Sequence, residues 1–139
     1  MYKQLENLIT LTNNDLNLVN RRFDQRTDIT ADQLELLRIL YNYDRLSQYD
    51  LTMKISREQS IVSRWIKKLV SKGYIMSQQS HEDLRCKELT LTNEARDLIK
   101  QINTARCELI EARCQCLTEE EVESLTQLLN KLNSRHIYL

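Results

Sequence analysis

The spacing of apolar positions changes several times along the chain, and each change marks an element. Leu5, Leu8, Leu16, Val19 and Phe23 recur on one side of a helix predicted over residues 2 to 26. Leu34, Leu37, Leu40 and Tyr41 predict a second, largely buried helix over 31 to 43, and a short third helix follows over 48 to 55. Next, Ile61, Val62, Trp65, Ile66, Leu69 and Val70 repeat at i, i+1, i+4, i+5, i+8 and i+9, an apolar helical stripe. Gly73, the only glycine, is placed to close that helix in the left-handed conformation. Beyond it the period falls to two. Tyr74-Ile75-Met76 opens one strand, and Leu89 and Leu91 alternate in a second, Lys87-Glu88-Leu89-Thr90-Leu91. The polar run His81-Glu82-Asp83-Leu84-Arg85 is too long for a tight turn and predicts an exposed hairpin tip.

The helical period then returns over residues 93 to 116. Leu98, Ile102, Ala105, Leu109, Ala112 and Cys116 form a 4-3-4-3-4 seam like that of a coiled coil. Val122, Leu125, Leu129 and Leu132 define a last helix from 119 to about 135. Capping signals add boundaries. Thr30-x-x-Gln33, Ser56-x-x-Gln59 and Thr118-x-x-Glu121 fit the capping box, and Ser47-x-x-Asp50 is a weaker version. They predict helix starts near 30, 47, 56 and 118, with Thr92 capping the helix from 93. The third and fourth helices have the length and break of a helix-turn-helix. The fold class is mainly α with a small β-hairpin wing.

Composition narrows the class. The chain has 139 residues, 41% of them hydrophobic and 29% charged, which suits one soluble domain with a real core. With no proline and one glycine, long helices joined by short connections are expected. No apolar run is long enough for a transmembrane helix, and the first residues lack a secretory core, so the expected location is cytoplasmic. Four cysteines, Cys86, Cys107, Cys114 and Cys116, are then expected as thiols.

The formal net charge is zero, but charge is not evenly spread. Lys54, Arg57, Arg64, Lys67, Lys68 and Lys72 face a single acid, Glu58, within 54 to 72, whereas Glu119, Glu120, Glu121 and Glu123 form an acidic run. Opposite its apolar stripe the fourth helix carries Ser60, Ser63, Arg64, Lys67, Ser71 and Lys72. Cations there can meet phosphates and short polar groups can reach base edges, so the face suits a DNA groove. Two isolated histidines, His81 and His136, no glycine-rich phosphate loop and no nucleophile–base motif leave an enzyme without support. No metal site or cofactor is expected, because the two thiols of Cys114-x-Cys116 point apart on a helix.

These residues resemble the MarR family of winged-helix transcription regulators over nearly the full length. Asp83-Leu84-Arg85-Cys86-Lys87 followed by Leu91-Thr92 fits the family's wing pattern D-x-R-x-K and its closing L-T. Ser60-Ile61-Val62-Ser63-Arg64, Leu69 and Lys72-Gly73-Tyr74-Ile75 are similar to its recognition helix and exit, and Ile29-Thr30 with Gln33 and Leu37 to the start of its second helix. Trp65 and Asn93-Glu94-Ala95 depart from the usual pattern.

The resemblance implies a single MarR-type domain over 1–139. Residues of about 30–92 would form the winged helix-turn-helix, and 1–26 with 93–139 the helices of a homodimer. It implies a sequence-specific regulator, by the family's habit a repressor, on a pseudo-palindromic promoter site in double-stranded DNA. Ser60, Ser63, Arg64 and Lys67 would approach the major groove, with Arg64 bidentate to guanine. Lys67, Lys68, Lys72 and Lys87 would meet phosphates. Arg85 would enter the minor groove, supported by Asp83. Release would come from oxidation, with Cys116 on the seam, Cys107 and Cys114 opposite it and Cys86 in the wing as candidate thiols. The other candidate signal is a small aromatic effector in a cleft lined by Tyr41, Tyr43 and Trp65, although aromatic side chains at helical spacing more often belong to the core. The competing reading is a winged-helix module that binds only protein.

Overall fold

In the computed structural model, residues 1–82 and 85–134 are described, the side chains of 24–26 excepted. Asp83 and His136 lie outside them. Among the described residues there are six α-helices and three strands: α1 (Tyr2–Thr27), α2 (Ala31–Tyr41), β1 (Leu46–Ser47), α3 (Gln48–Ile55), α4 (Gln59–Ser71), β2 (Ile75–Gln79), β3 (Lys87–Leu91), α5 (Asn93–Arg113) and α6 (Glu119–Asn133). A 3-10 turn, Cys114–Cys116, follows α5. The chain forms two compact units, Met1–Ala105 and Arg106–Leu139.

Local chemistry explains most boundaries. At α2 the Gln33 N–H donates to Thr30 Oγ1 and the Thr30 N–H to Gln33 Oε1, both at 3.2 Å, a complete capping box. Thr118 and Glu121 repeat it at α6. Ser47 caps α3 through the Asp50 N–H at 3.0 Å. Ser56 departs from the expected pattern. It closes α3 in the left-handed region, φ 55°, and α4 starts three residues later behind Glu58, without a side-chain cap.

The core of the first unit collects Leu34, Leu36, Leu37 and Leu40 of α2 and Leu51 of α3. Val62, Ile66 and Leu69 of α4 join them with Leu89 and Leu91 of β3 and Ala95, Ile99 and Ile102 of α5. The three α4 residues are the buried half of the predicted stripe, whereas Val70 is 39% exposed. Burying one face of α4 in this core, beside α3 and β2, leaves its opposite face to solvent.

The sheet is antiparallel in the order β1-β3-β2. Ile75 pairs with Leu91 and Gln79 with Lys87 in the hairpin, and Leu46 pairs with Leu89 at the other edge. β1 went unpredicted because two residues carry no alternation. The architecture is that of a winged helix-turn-helix.

On α5 the buried residues are Ala95, Ile99 and Ile102, with Leu98 packed beside them. The predicted seam runs along α5 from Leu98 to Ala112, and only its last position, Cys116, lies beyond the helix. Its first positions belong to the core of the first unit, Ala112 is exposed, and Cys116 has left the α-helix. Helical tightening at Cys114 breaks the 4-3 spacing there.

Candidate nucleic-acid interface

The hinge between α4 and the wing is built from main-chain bonds. Lys72 is the C-cap of α4, the Gly73 N–H donates to the Val70 carbonyl at 3.0 Å and the Tyr74 N–H to the Leu69 carbonyl at 2.9 Å. This paired motif needs a left-handed residue, and Gly73 supplies it at φ 81°. Thr92 fastens the other end. Its hydroxyl lies 2.8 Å from the Gly73 carbonyl and accepts from the Ala95 N–H at 3.2 Å, which begins α5. Burial first, then the charges of Glu94 and Asp28, push the phenol of Tyr74 above the ordinary tyrosine range.

The outer surface of α4 carries Ser60, Arg64, Lys67, Lys68 and Ser71, all exposed. Its flank toward the wing carries Gln59, Ser63, Ile66, Lys67 and Val70, which line a groove of about 600 Å³. Ser47, Gln48 and Tyr49 at the start of α3 form another wall, and Ser77, Arg85, Cys86 and Lys87 close it from the hairpin. The predicted Ser63, Lys67, Arg85 and Lys87 are thus brought to one surface. Ser60, Arg64 and Lys68 lie beside it on the same helix. Asp83, the expected support of Arg85, lies outside the described residues.

Lys72 stands apart from the other cations. Its ammonium donates to the main-chain oxygen of Asp28 and lies 3.3 Å from Asp28 Oδ2, and its side chain is 22% exposed. Asp28 is the left-handed residue, φ 55°, that ends α1. The amine ties the end of α4 to the turn before α2.

Gln48, Tyr49 and Gln59 also line the groove. Tyr49 is 68% exposed in the groove wall. Nothing in local spacing marks these side chains, because only the packing of α3 beside α4 brings them together. The aromatic side chains divide between core and surface. Tyr41 and Trp65 pack on the core, while Tyr43 is 40% exposed with the Lys54 ammonium 4.8 Å from its ring centre.

Cys86, Cys107 and Cys116 are exposed and Cys114 is half-buried. Cys114 and Cys116 sit in the 3-10 turn rather than on α5, so Cys114 does not share a helix face with Cys107 as its spacing predicts. No group of three or more His, Cys, Asp or Glu side chains suited to a metal occurs among the described residues. No described helix is long and apolar enough to cross a membrane.

Comparison with known proteins agrees with this geometry. Residues 29–87 match the family model for the MarR family, a span that starts before α2 and ends in the wing. The chain is 28% identical over 121 residues to the uncharacterized HTH-type transcriptional regulator YdgJ of Bacillus subtilis (strain 168), covering 84% of this chain and 74% of that protein. A mutant of MepR from a multidrug-resistant S. aureus clinical isolate superposes with a TM-score of 0.80 at 25% identity, covering 96% of both chains. A mutant of MarR from E. coli, in its complex with operator DNA, superposes with a TM-score of 0.71 at 24% identity, covering 94% of both chains. With the core, the glycine hinge and the basic helix arranged as described, residues 29–87 match the MarR family and the chain has the fold of its winged-helix transcription regulators.

Proposed function

We propose that the chain binds a pseudo-palindromic promoter site in double-stranded DNA as a homodimer and acts there as a repressor. The observation that carries this reading is the convergence of Ser63 and Lys67 from α4 with Arg85 and Lys87 from the wing on one groove, beside the exposed Arg64. Arg64 has the donors to contact guanine in the major groove, and Arg85 extends from the hairpin toward the adjacent minor groove. Lys67, Lys68 and Lys87 meet phosphates. Lys72, engaged with Asp28, holds α4 in place.

Dimerisation is supported by apolar side chains left in solvent. Leu5, Leu8, Ile9 and Leu11 of α1 are 43% to 59% exposed, and Leu125, Leu128, Leu129 and Leu132 of α6 are 41% to 63% exposed. Faces of this kind are covered in stable proteins. Two protomers present two α4 helices to successive major grooves when their spacing matches one turn of DNA.

Release follows from a signal that changes that spacing or the binding surface, a small molecule or an oxidant acting on cysteine. Of the four thiols, Cys86 lies on the groove between Arg85 and Lys87, where oxidation by peroxide changes the DNA-facing surface directly. Binding of the full chain to DNA upstream of its own coding region, before and after peroxide and then reductant, tests both steps. Salt-sensitive binding that peroxide abolishes and reductant restores is the expected result. Binding indifferent to peroxide removes the thiol route, and the absence of binding removes the main reading.

A further inference from the structure

We infer that Gln59 reads an adenine in the major groove, as a specificity residue of the DNA-binding surface proposed above and resting on that proposal. Gln59 is the first residue of α4 and is exposed on the groove wall, with Ser63 and Lys67 following it at successive turns of the same flank. The first residues of a helix inserted into a major groove are those that approach base edges.

The carboxamide of this glutamine is not committed to a helix cap. Its position three residues after Ser56 suggests a capping partner, but Ser56 instead closes α3 and α4 has no side-chain cap. Gln33, the corresponding glutamine of α2, is 3% exposed and accepts from the Thr30 N–H at 3.2 Å. Gln59 has no comparable bond to any described residue. Its carboxamide therefore presents one donor and one acceptor, side by side, to whatever enters the groove.

That pair selects among the bases. Adenine offers an N7 acceptor next to an N6 donor, the complement of a carboxamide, whereas guanine offers two acceptors, cytosine a donor, and thymine an acceptor beside a methyl. Arg64 has the opposite preference, for guanine. Arg64 lies five positions further along α4 and about 140° around its axis, so the two side chains face different parts of the groove.

Selection from randomised duplexes, followed by titration of single-base variants of the selected site, tests the assignment on the full-length chain, Gln59→Ala and Gln59→Glu. The wild type should prefer adenine at one position per half-site by about fivefold to about a hundredfold. Gln59→Ala should lose that preference alone, with unchanged melting temperature and salt dependence. Gln59→Glu, which keeps only acceptors, should move the preference toward cytosine. If Gln59→Ala retains the wild-type base preference at every position, the assignment is overturned while DNA binding stands. If the wild type binds no duplex, the DNA-binding proposal itself fails and the assignment with it.

Discussion

Replacing Lys68 and, separately, Lys72 with alanine distinguishes a cation available to DNA from one committed to the fold. The two lysines lie four residues apart near the end of α4, and from sequence both belong to the phosphate-binding set. Lys68 is exposed, whereas the Lys72 ammonium is held by the main-chain oxygen and carboxylate of Asp28. A lysine that neutralises one phosphate contributes about 0.9 to the slope of log affinity against log salt. In a symmetric dimer Lys68→Ala removes two such contacts, so the slope should fall by about 1.8. Between about 50 and 200 mM salt the wild type should then lose roughly tenfold more affinity than the variant. Lys72→Ala should leave the slope unchanged. It should instead lower stability by about 1 kcal/mol, because the lost partner is one main-chain oxygen and the Asp28 side chain is 99% exposed. Fluorescence anisotropy across a salt series, with thermal melts at fixed protein concentration, reads both quantities. A slope that falls as much for Lys72→Ala as for Lys68→Ala refutes the reasoning.

Leu69→Ala removes a fully buried side chain of α4 and should cost about 2–5 kcal/mol in urea unfolding, whereas Val70→Ala, 39% exposed, should cost less than about 1 kcal/mol. Gly73→Ala should destabilise by about 1–2 kcal/mol through its left-handed backbone alone, since a Cβ there meets nothing within 4 Å; a neutral result in thermal melts removes the hinge argument. Tyr74, its phenol held protonated mainly by burial, should be among the last tyrosines to ionise in an ultraviolet titration, and Tyr74→Phe should remove that late step. Because its folded-state pKa is raised, the stability it contributes is whole below the ordinary tyrosine value of 10.0 and is lost as pH rises through the folded value. A Tyr74→Phe chain with the same alkaline stability profile contradicts this.

The sequence reveals those features that local chemistry decides. α3 and β3 fall on the predicted residues because Ser47 caps one and alternation at Leu89 and Leu91 marks the other. Gly73 is legible because the motif that ends α4 leaves little choice of residue. Misreadings arise where two local signals compete or where tertiary contact decides. Ser56 has the spacing of an N-cap but serves as the end of α3, and only the left-handed turn there separates the two roles. β1 exists because Leu46 and Ser47 pair with β3, a partner more than forty residues away. The basic side of α4 is visible in the order of its charges, but Lys72 is drawn out of that set by Asp28, the residue that ends another helix. Gln48, Tyr49 and Gln59 enter the groove only when α3, α4 and the hairpin are placed together.

The DNA-binding surface proposed for α4 and the wing rests on Arg64 and Arg85. Its most direct test is anisotropy binding of an A·T-rich pseudo-palindromic fragment from the chain's own upstream region to the wild type and to the double variant Arg64→Ala, Arg85→Ala. Salt-dependent binding by the wild type, lost in a variant that still melts as a folded protein, is the expected result. Equal binding by both proteins, or none by the wild type, would contradict it.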